Sequence, residues 1–304
     1  MTDVVILGVF VADTAYRADR QPRMGETIMG RSFALGPGGK GSNQAVAAAR
    51  AGGDVAMVTR IGSDTFGDMA MATWEEAGVT PAVERSDEAT GAAHIFIDAE
   101  TGDNAIIIAP GAAAGIDADF VNGHAALIGG AKVFVTQLEQ PMDAAVHALR
   151  IAREGGAVTI LNPAPAAPLP EGMLTLCDYV TPNETEAEAL TGIAVTDAAS
   201  ARAAGEALLA AGVGRAAILT LGAQGALYHD ADTTEIVPAF DAGPVVETTG
   251  AGDAFNGAFA AALAEGMSPR DAVRFGCATA AISVTRPGTA PSMPLRAEID
   301  ALLG

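Results

Sequence analysis

With 304 residues, half of them apolar, the chain is long enough for one large α/β domain or two small ones, and too hydrophobic for a disordered protein. A formal net charge of −20 repels nucleic-acid backbones and anionic membrane surfaces alike, so an anionic small substrate must find its positive groups locally. Lysines are scarce, two (Lys40 and Lys132) against fifteen arginines, which singles out Lys40 inside a glycine cluster. Cys177 and Cys277 lie a hundred residues apart, and His94, His124, His147 and His229 are scattered; buried thiols in a reducing compartment are expected, without a zinc site.

The apolar run at residues 4–12 follows Asp3 rather than a basic segment and reads as a first strand, not a signal peptide. No uninterrupted apolar stretch approaches the about 18 residues of a membrane span, so a cytoplasmic protein is expected. "DVVILGVF" (3–10) is followed by the strand-like "MGETIMGRSFALG" (24–36) and an Ala-rich helical pattern at 42–52. A strand at 54–62 precedes a helix at 66–78, and 92–111 reads as a hairpin turning near 101–104. Strands at 131–139, 156–165 and 215–222 alternate with helices at 142–155 and 200–212, and the last third turns helical over 252–265, 269–284 and 294–303. Continuous apolar strands, each followed by a helix, predict a mostly parallel sheet covered on both faces, with ligands beyond the strands' carboxyl ends. The segments at about 11–36 and 91–110 break that alternation and read as a small β appendage, suited to a lid or a dimer surface. With no repeat or linker in between, residues 1–304 read as one domain carrying this appendage.

"GPGGKGSNQA" (36–45) fails as a P-loop, because Ala34 stands where the first glycine belongs and Gly41 where Ser or Thr belongs. Gly36, Gly38 and Gly41 satisfy G-x-G-x-x-G but follow the appendage rather than the first core strand, which leaves a dinucleotide-dependent oxidoreductase as a distant alternative. A third reading fits better: glycines let the backbone approach a small polar ligand, while Lys40 and Asn43 add donors at a helix start. Asp64 in "IGSDTFGD" (61–68) reads as a helix cap. In "VTPNETEAEALTG" (180–192), Glu184, Glu186 and Glu188 suit a helix N-terminus, and Asn183 with Glu186 equally offers oxygen ligands through water to Mg²⁺.

"VVETTGAGDAFNGAF" (245–259) places a carboxylate, Asp253, beside a glycine-rich helix start that suits an anion. Phosphoryl transfer to an alcohol requires both, since the hydroxyl must lose a proton while charge spreads over the phosphoryl oxygens. The amides from Gly250, Ala251 and Gly252 to Asp253 can form an anion hole, and the Asp253 carboxylate, turned to the acceptor side, can take the proton.

Together with "QLEQP" (137–141), "LNPAPA" (161–166), "TLGAQG" (220–225) and "VTRPGTAPSMP" (284–294), these stretches give the chain a nearly end-to-end resemblance to the ribokinase family of carbohydrate kinases. The resemblance implies a Rossmann-like αβα sandwich with a β lid that forms a homodimer, and ATP-dependent transfer to the 5-hydroxyl of a pentose, D-ribose. It further implies that Asp13, Gly39, Lys40, Gly41, Asn43 and Glu139 bind the sugar, with Asp253 as base and Gly250, Ala251 and Gly252 as anion hole. Asn183, Thr220, Gly222, Gly225 and Gly252 would line the ATP site, with Cys277 beside the adenine. Asn183 and Glu186 would assist Mg²⁺ through water, and the loops holding Glu247, Thr249, Ser283, Arg286, Gly288 and Ser292 would hold K⁺.

Three positions depart from the family pattern. Val11 stands where an Asn is usual; it cannot bond a hydroxyl, which favours a sugar lacking or repositioning one, as 2-deoxyribose does. Glu247 replaces an Asp near the cation, and Cys277 replaces the usual His or Asn at the adenine. A ketose, a ketosugar acid and a nucleoside are the other acceptors to weigh. A sensor without catalysis would have no use for Asp253.

Overall fold

The computed structural model describes residues 2–304. In chain order its strands are β1 (Val4–Leu7), β2 (Val11–Ala18), β3 (Ser32–Gly38), β4 (Val55–Gly62), β5 (Thr80–Ser86), β6 (Ala92–Asp98), β7 (Asn104–Ala109), β8 (Val133–Thr136), β9 (Val158–Leu161), β10 (Tyr179–Val180), β11 (Ala216–Thr220), β12 (Ala226–Asp230) and β13 (Thr234–Val237). The larger sheet has the order β13-β12-β11-β10-β9-β8-β1-β4-β5 and is parallel except for β12, which runs antiparallel to both β11 and β13. The four residues of β1 are all buried, and so are those of β8, as continuous apolar strands covered on both faces must be. Their alternation sorts the core into two layers. Val4 and Ile6 pack with the helices Lys40–Arg50, Ala251–Ala264 and Pro269–Ser283, whereas Val5 and Leu7 pack with the helix Met142–Glu154. The chain is therefore a Rossmann-like αβα sandwich.

The strand order reverses beside β1, which lies between β4 and β8, and the crevice at such a switch point is where ligands of these sheets bind. Gln137 and Glu139 follow β8, Asn162 follows β9, and Thr181 and Asn183 follow β10, all at this carboxyl edge.

A second sheet, β3-β2-β6-β7, is mixed: β2 pairs antiparallel with β3 and parallel with β6. Its first strand, β2, starts at Val11, inside the segment at about 11–36. The run at 3–10 ends as a core strand at Leu7, and the chain passes through Gly8 into β2; the expected strand at 24–36 is an exposed loop until Ser32. A side chain on Gly41 would come within 2.7 Å of the Gly8 Cα, so two glycine backbones in contact mark the point where the chain leaves one sheet for the other. The hairpin of β6 and β7 turns through 99–103, as its pattern predicts. Because Gly36 and Gly38 belong to β3 and Gly41 to the following helix, the G-x-G-x-x-G spacing does not form a dinucleotide-binding turn, and that alternative falls.

The predicted helices appear within about two residues of their expected ends, and Asp64 caps Thr65–Ala77 by accepting from the Gly67 N–H at 2.8 Å. Strands β5, β12 and β13 were not predicted, and β10 was expected only as a strand before the helix of 180–192. β10 has two residues, and β5 is an edge strand with mostly exposed side chains and a proline. No helix is long and apolar enough to cross a membrane among the described residues.

Candidate active site

Two helices build the centre. Ala251–Ala264 starts at Gly250, whose φ of 84° lies in the left-handed region, and no side chain caps its first turn. Nothing lies within 4 Å of where a Cβ on Gly252 would be, so the residue borders open space on its side-chain side. Against this helix lies Lys40–Arg50; a Cβ on Gly257 would meet the Ala47 Cβ at 2.6 Å, and most alanines of both helices, Ala45, Ala47 and Ala48 against Ala254, Ala258 and Ala261, are buried. That close crossing brings Asp253, 5% exposed, onto the first turn of the facing helix. Its Oδ2 accepts from Asn43 Nδ2 at 3.1 Å and its Oδ1 from Gln44 Nε2 at 3.0 Å. Both donors are neutral amides. The Asn43 Oδ1 is buried and has no protein donor, an acceptor that costs about 1–3 kcal/mol if left unpaired.

Around this pair stand the other residues expected on the sugar side. The Lys40 N–H donates to Glu139 Oε2 at 2.7 Å, joining the helix start to the loop after β8. Burial opposes the Lys40 charge, but Asp253, Glu139 and Glu186 outweigh it and hold the ammonium above the ordinary lysine range. Burial pushes Glu139 up to about 7 against the opposing influence of Lys40. Burial, then Asp253 and Glu247, pushes Asp13 up to about 6. A Cβ on Gly38 would strike the Asp13 carboxylate, and one on Gly39 (φ 88°) would lie 2.6 Å from the Val9 carbonyl, so the glycines make room for the acid and the chain crossing. Val11, two residues before Asp13, shares its face of β2 and is buried, within the apolar cluster that holds Leu7, Val9 and Ala93.

The residues expected on the nucleotide side gather next to this group. Asn183 and Glu186 form a capping box: Asn183 N–H donates to Glu186 Oε2 at 2.9 Å and Glu186 N–H to Asn183 Oδ1 at 2.8 Å. Spacing alone left open whether the acids here serve the helix dipole or Mg²⁺; the capping box was not read from it, and the box engages one of the two Glu186 oxygens. Burial raises Glu186 above the usual carboxylate range, against the pull of the Asn183 N–H and Lys40. Asn183 bridges to Thr220 at the end of β11, and Gly222 opens the short turn Gly222–Gln224 that ends at Gly225. Cys277 lies in the apolar core, with burial pushing its thiol up to about 12; it can offer a base only a small apolar surface.

The loops expected to hold a monovalent cation meet through Glu247, whose Oε2 accepts from the Gly288 N–H at 2.8 Å. The Val246 and Glu247 amides donate to the Val284 carbonyl at 2.8 and 3.1 Å. Arg286 turns its guanidinium to Glu298, while Ser283 and Ser292 donate to the carbonyls of Ala280 and Thr289. Thr249 is exposed in the turn before Gly250. The oxygen donors left are the Glu247 carboxylate, hydroxyl lone pairs and main-chain carbonyls, a set that suits a hard cation. No cluster of three or more His, Cys, Asp or Glu fit to hold a metal occurs among the described residues.

A buried amide network went unread in the sequence. Gln44 Nε2 also donates to Asn162 Oδ1 at 3.0 Å, and Gln44 Oε1 accepts from Gln137 Nε2 at 2.6 Å. Asn162 Nδ2 donates to the Thr181 carbonyl at 3.2 Å, Thr181 Oγ1 to Asn256 Oδ1 at 2.6 Å, and Asn256 Nδ2 to the Gly252 carbonyl at 2.8 Å. The one available signal was a glutamine near the head of an alanine-rich helix, followed by the apolar run Ala45–Ala49.

Comparison with known proteins agrees with this geometry. Residues 1–296 match the profile of the pfkB family carbohydrate kinases. A ribokinase from Haemophilus influenzae is 39% identical over 297 residues, spanning 97% of this chain and 96% of that protein. A deoxyribokinase from Salmonella typhi is 36% identical over 295 residues, 96% of this chain and 95% of its own length. Among solved structures, the Arabidopsis thaliana ribokinase complexed with ribose and ATP superimposes with a TM-score of 0.92 at 30% identity, covering 99% of this chain and 98% of that one. The chain belongs to the ribokinase/PfkB family of carbohydrate kinases, and is an ATP-dependent sugar kinase.

Proposed function

We propose that this kinase phosphorylates the 5-hydroxyl of D-ribose, with Asp253 as general base. One observation carries the reading: a buried carboxylate held only by neutral amides stands at the uncapped start of a 14-residue helix. Such a carboxylate can receive the hydroxyl proton, and the amides of Gly250, Ala251 and Gly252 can receive the charge that builds on the transferred phosphoryl group. Asp13, Gly39, Lys40, Gly41, Asn43 and Glu139 bind the sugar, and the unpaired Asn43 Oδ1 takes a hydroxyl proton as its donor. Asn183, Thr220, Gly222 and Gly225 flank the nucleotide, with Cys277 beneath the adenine. Mg²⁺, held through water by Asn183 and Glu186, would neutralise charge on the phosphates. K⁺ in the loops of Glu247, Thr249, Ser283, Arg286, Gly288 and Ser292 would stiffen the turn that sets the anion-hole amides.

Val11 and the likeness to a deoxyribokinase favour 2-deoxyribose as a second acceptor reading. The second sheet, from about 11–36 and 91–110, acts as a lid within one kinase domain. Its exposed Tyr16, Phe33, Leu35 and Ile107 share one face of the sheet, opposite the face that carries Asp13, and a second copy would cover that apolar face in a homodimer.

Asp253→Asn is expected to leave sugar and ATP affinity within a few-fold while lowering kcat by about 10²–10⁴; unchanged turnover in a steady-state assay refutes the base. A panel of ribose, 2-deoxyribose, ketoses and nucleosides with ATP–Mg²⁺, with and without K⁺, decides the acceptor. Val11→Asn should shift kcat/KM toward ribose by about tenfold or more, as one gained hydroxyl bond predicts, and an unmoved ratio removes Val11 from the sugar site. As pH rises through about 6 to 7, Asp13 and Glu139 lose their protons and become stronger acceptors for hydroxyls, so kcat/KM for the sugar should climb. Glu139→Gln should remove the upper part of that climb, and a profile identical to wild type overturns the assignment. For the lid, Ile107→Glu should convert dimer to monomer in sedimentation; a wild type that sediments as a monomer ends that proposal.

A further inference from the structure

We propose that Gln44 is a positioning residue that clamps the Asp253 carboxylate and holds it in register with the anion-hole amides; this rests on Asp253 being the base. Gln44 is fully buried, so it cannot reach substrate, and it touches the reaction only through Asp253. Three of its four hydrogen-bonding sites are used: both Nε2 protons, on Asp253 and Asn162, and one lone pair of Oε1, on Gln137. Turning the amide over would face its oxygen to a carboxylate and a carbonyl oxygen, and its NH₂ to the NH₂ of Gln137. A single orientation is therefore dictated.

Asn43 grips the other carboxylate oxygen, but its own Oδ1 has no protein partner, so nothing on that side locks it. Gln44 is the locked half of the clamp. Its tethers come from two strand ends, Gln137 after β8 and Asn162 after β9. From Asn162 the hydrogen bonds continue through Thr181 and Asn256 to the Gly252 carbonyl, one residue before Asp253. The ring thus starts at the carboxylate and closes on the peptide that carries it. The side chain that takes the proton and the amides that meet the phosphoryl group cannot move independently. Because every tether of the ring to Asp253 is neutral, it orients the base without supplying a counter-charge. Such a shell must hold a base to within a fraction of an ångström, since a misplacement of about 1 Å can cost about 10²-fold in rate.

The test is a double-mutant cycle on the full-length kinase. Gln44→Leu should lower kcat by about 10- to 100-fold, with KM for sugar and ATP changed by less than about threefold. Added to Asp253→Asn, it should lower the residual kcat by less than about threefold, because a clamp without its carboxylate has nothing to hold. A merely structural role would raise KM as well and would multiply through in both backgrounds. Should Gln44→Leu not fold, Asn162→Leu and Gln137→Leu each cut one tether while sparing the bond to Asp253, and each should lower kcat selectively. Normal kcat in Gln44→Leu, or in both tether variants, overturns the clamp while a severe Asp253→Asn loss keeps the base. Full turnover in Asp253→Asn alone overturns the base and the clamp with it.

Discussion

The close crossing of the helices Lys40–Arg50 and Ala251–Ala264 sets the position of every group at the centre of this kinase. It depends on small residues, with Gly257 lying where any Cβ would collide with the backbone of the facing helix. The reward is geometric. Two residues adjacent in sequence, Asn43 and Gln44, each present an amide to one oxygen of Asp253. A larger residue at the crossing would separate the helix starts and lengthen both bonds, and the carboxylate would then keep its burial without its donors, a costly state.

The same crossing accounts for the unusual density of acids around one lysine. Asp253 raises Asp13, Glu139 and Glu186 through a partly buried space, and Lys40 is the cation that Glu139, Glu186 and Asp253 share. In a chain with a net charge of −20, Lys40 is a rare local source of positive charge among these acids. Raised carboxyls are the electrostatic consequence of packing acids together away from water. They also give the site a pH response near neutrality, in a region where solvent-exposed carboxylates would be silent.

The second sheet is attached at the point where β1 gives way to β2, close to the Gly8–Gly41 contact, and its far end carries the apolar face. Thr289, next to Gly288 in the loop joined to Glu247, donates to the Pro37 carbonyl at 2.9 Å, and a Cβ on Gly250 would meet it at 3.3 Å. One residue therefore touches both the root of the second sheet and the helix start at Gly250, so the two share a boundary although they come from opposite ends of the chain.

Much of this was legible before folding. The parallel sheet followed from continuous apolar runs, and the helix start at Gly250 with Asp253 behind it from local chemistry that needs only a few neighbouring residues. Asp64 as a cap was readable for the same reason. What remained hidden depends on distance along the chain. Gln44 and Asp253 are 209 residues apart, and Gln44 and Asn162 118, so no local pattern distinguishes these amides from any others. Spacing could not separate a helix-dipole role of Glu186 from a metal role, because one N-terminal geometry serves both. The edge strand β5 exists only because β4 offers it hydrogen bonds. Sequence determined the kinds of groups and their local conformations; tertiary packing alone decided which of them touch, since contact between distant residues is set by the crossing of elements and not by propensity.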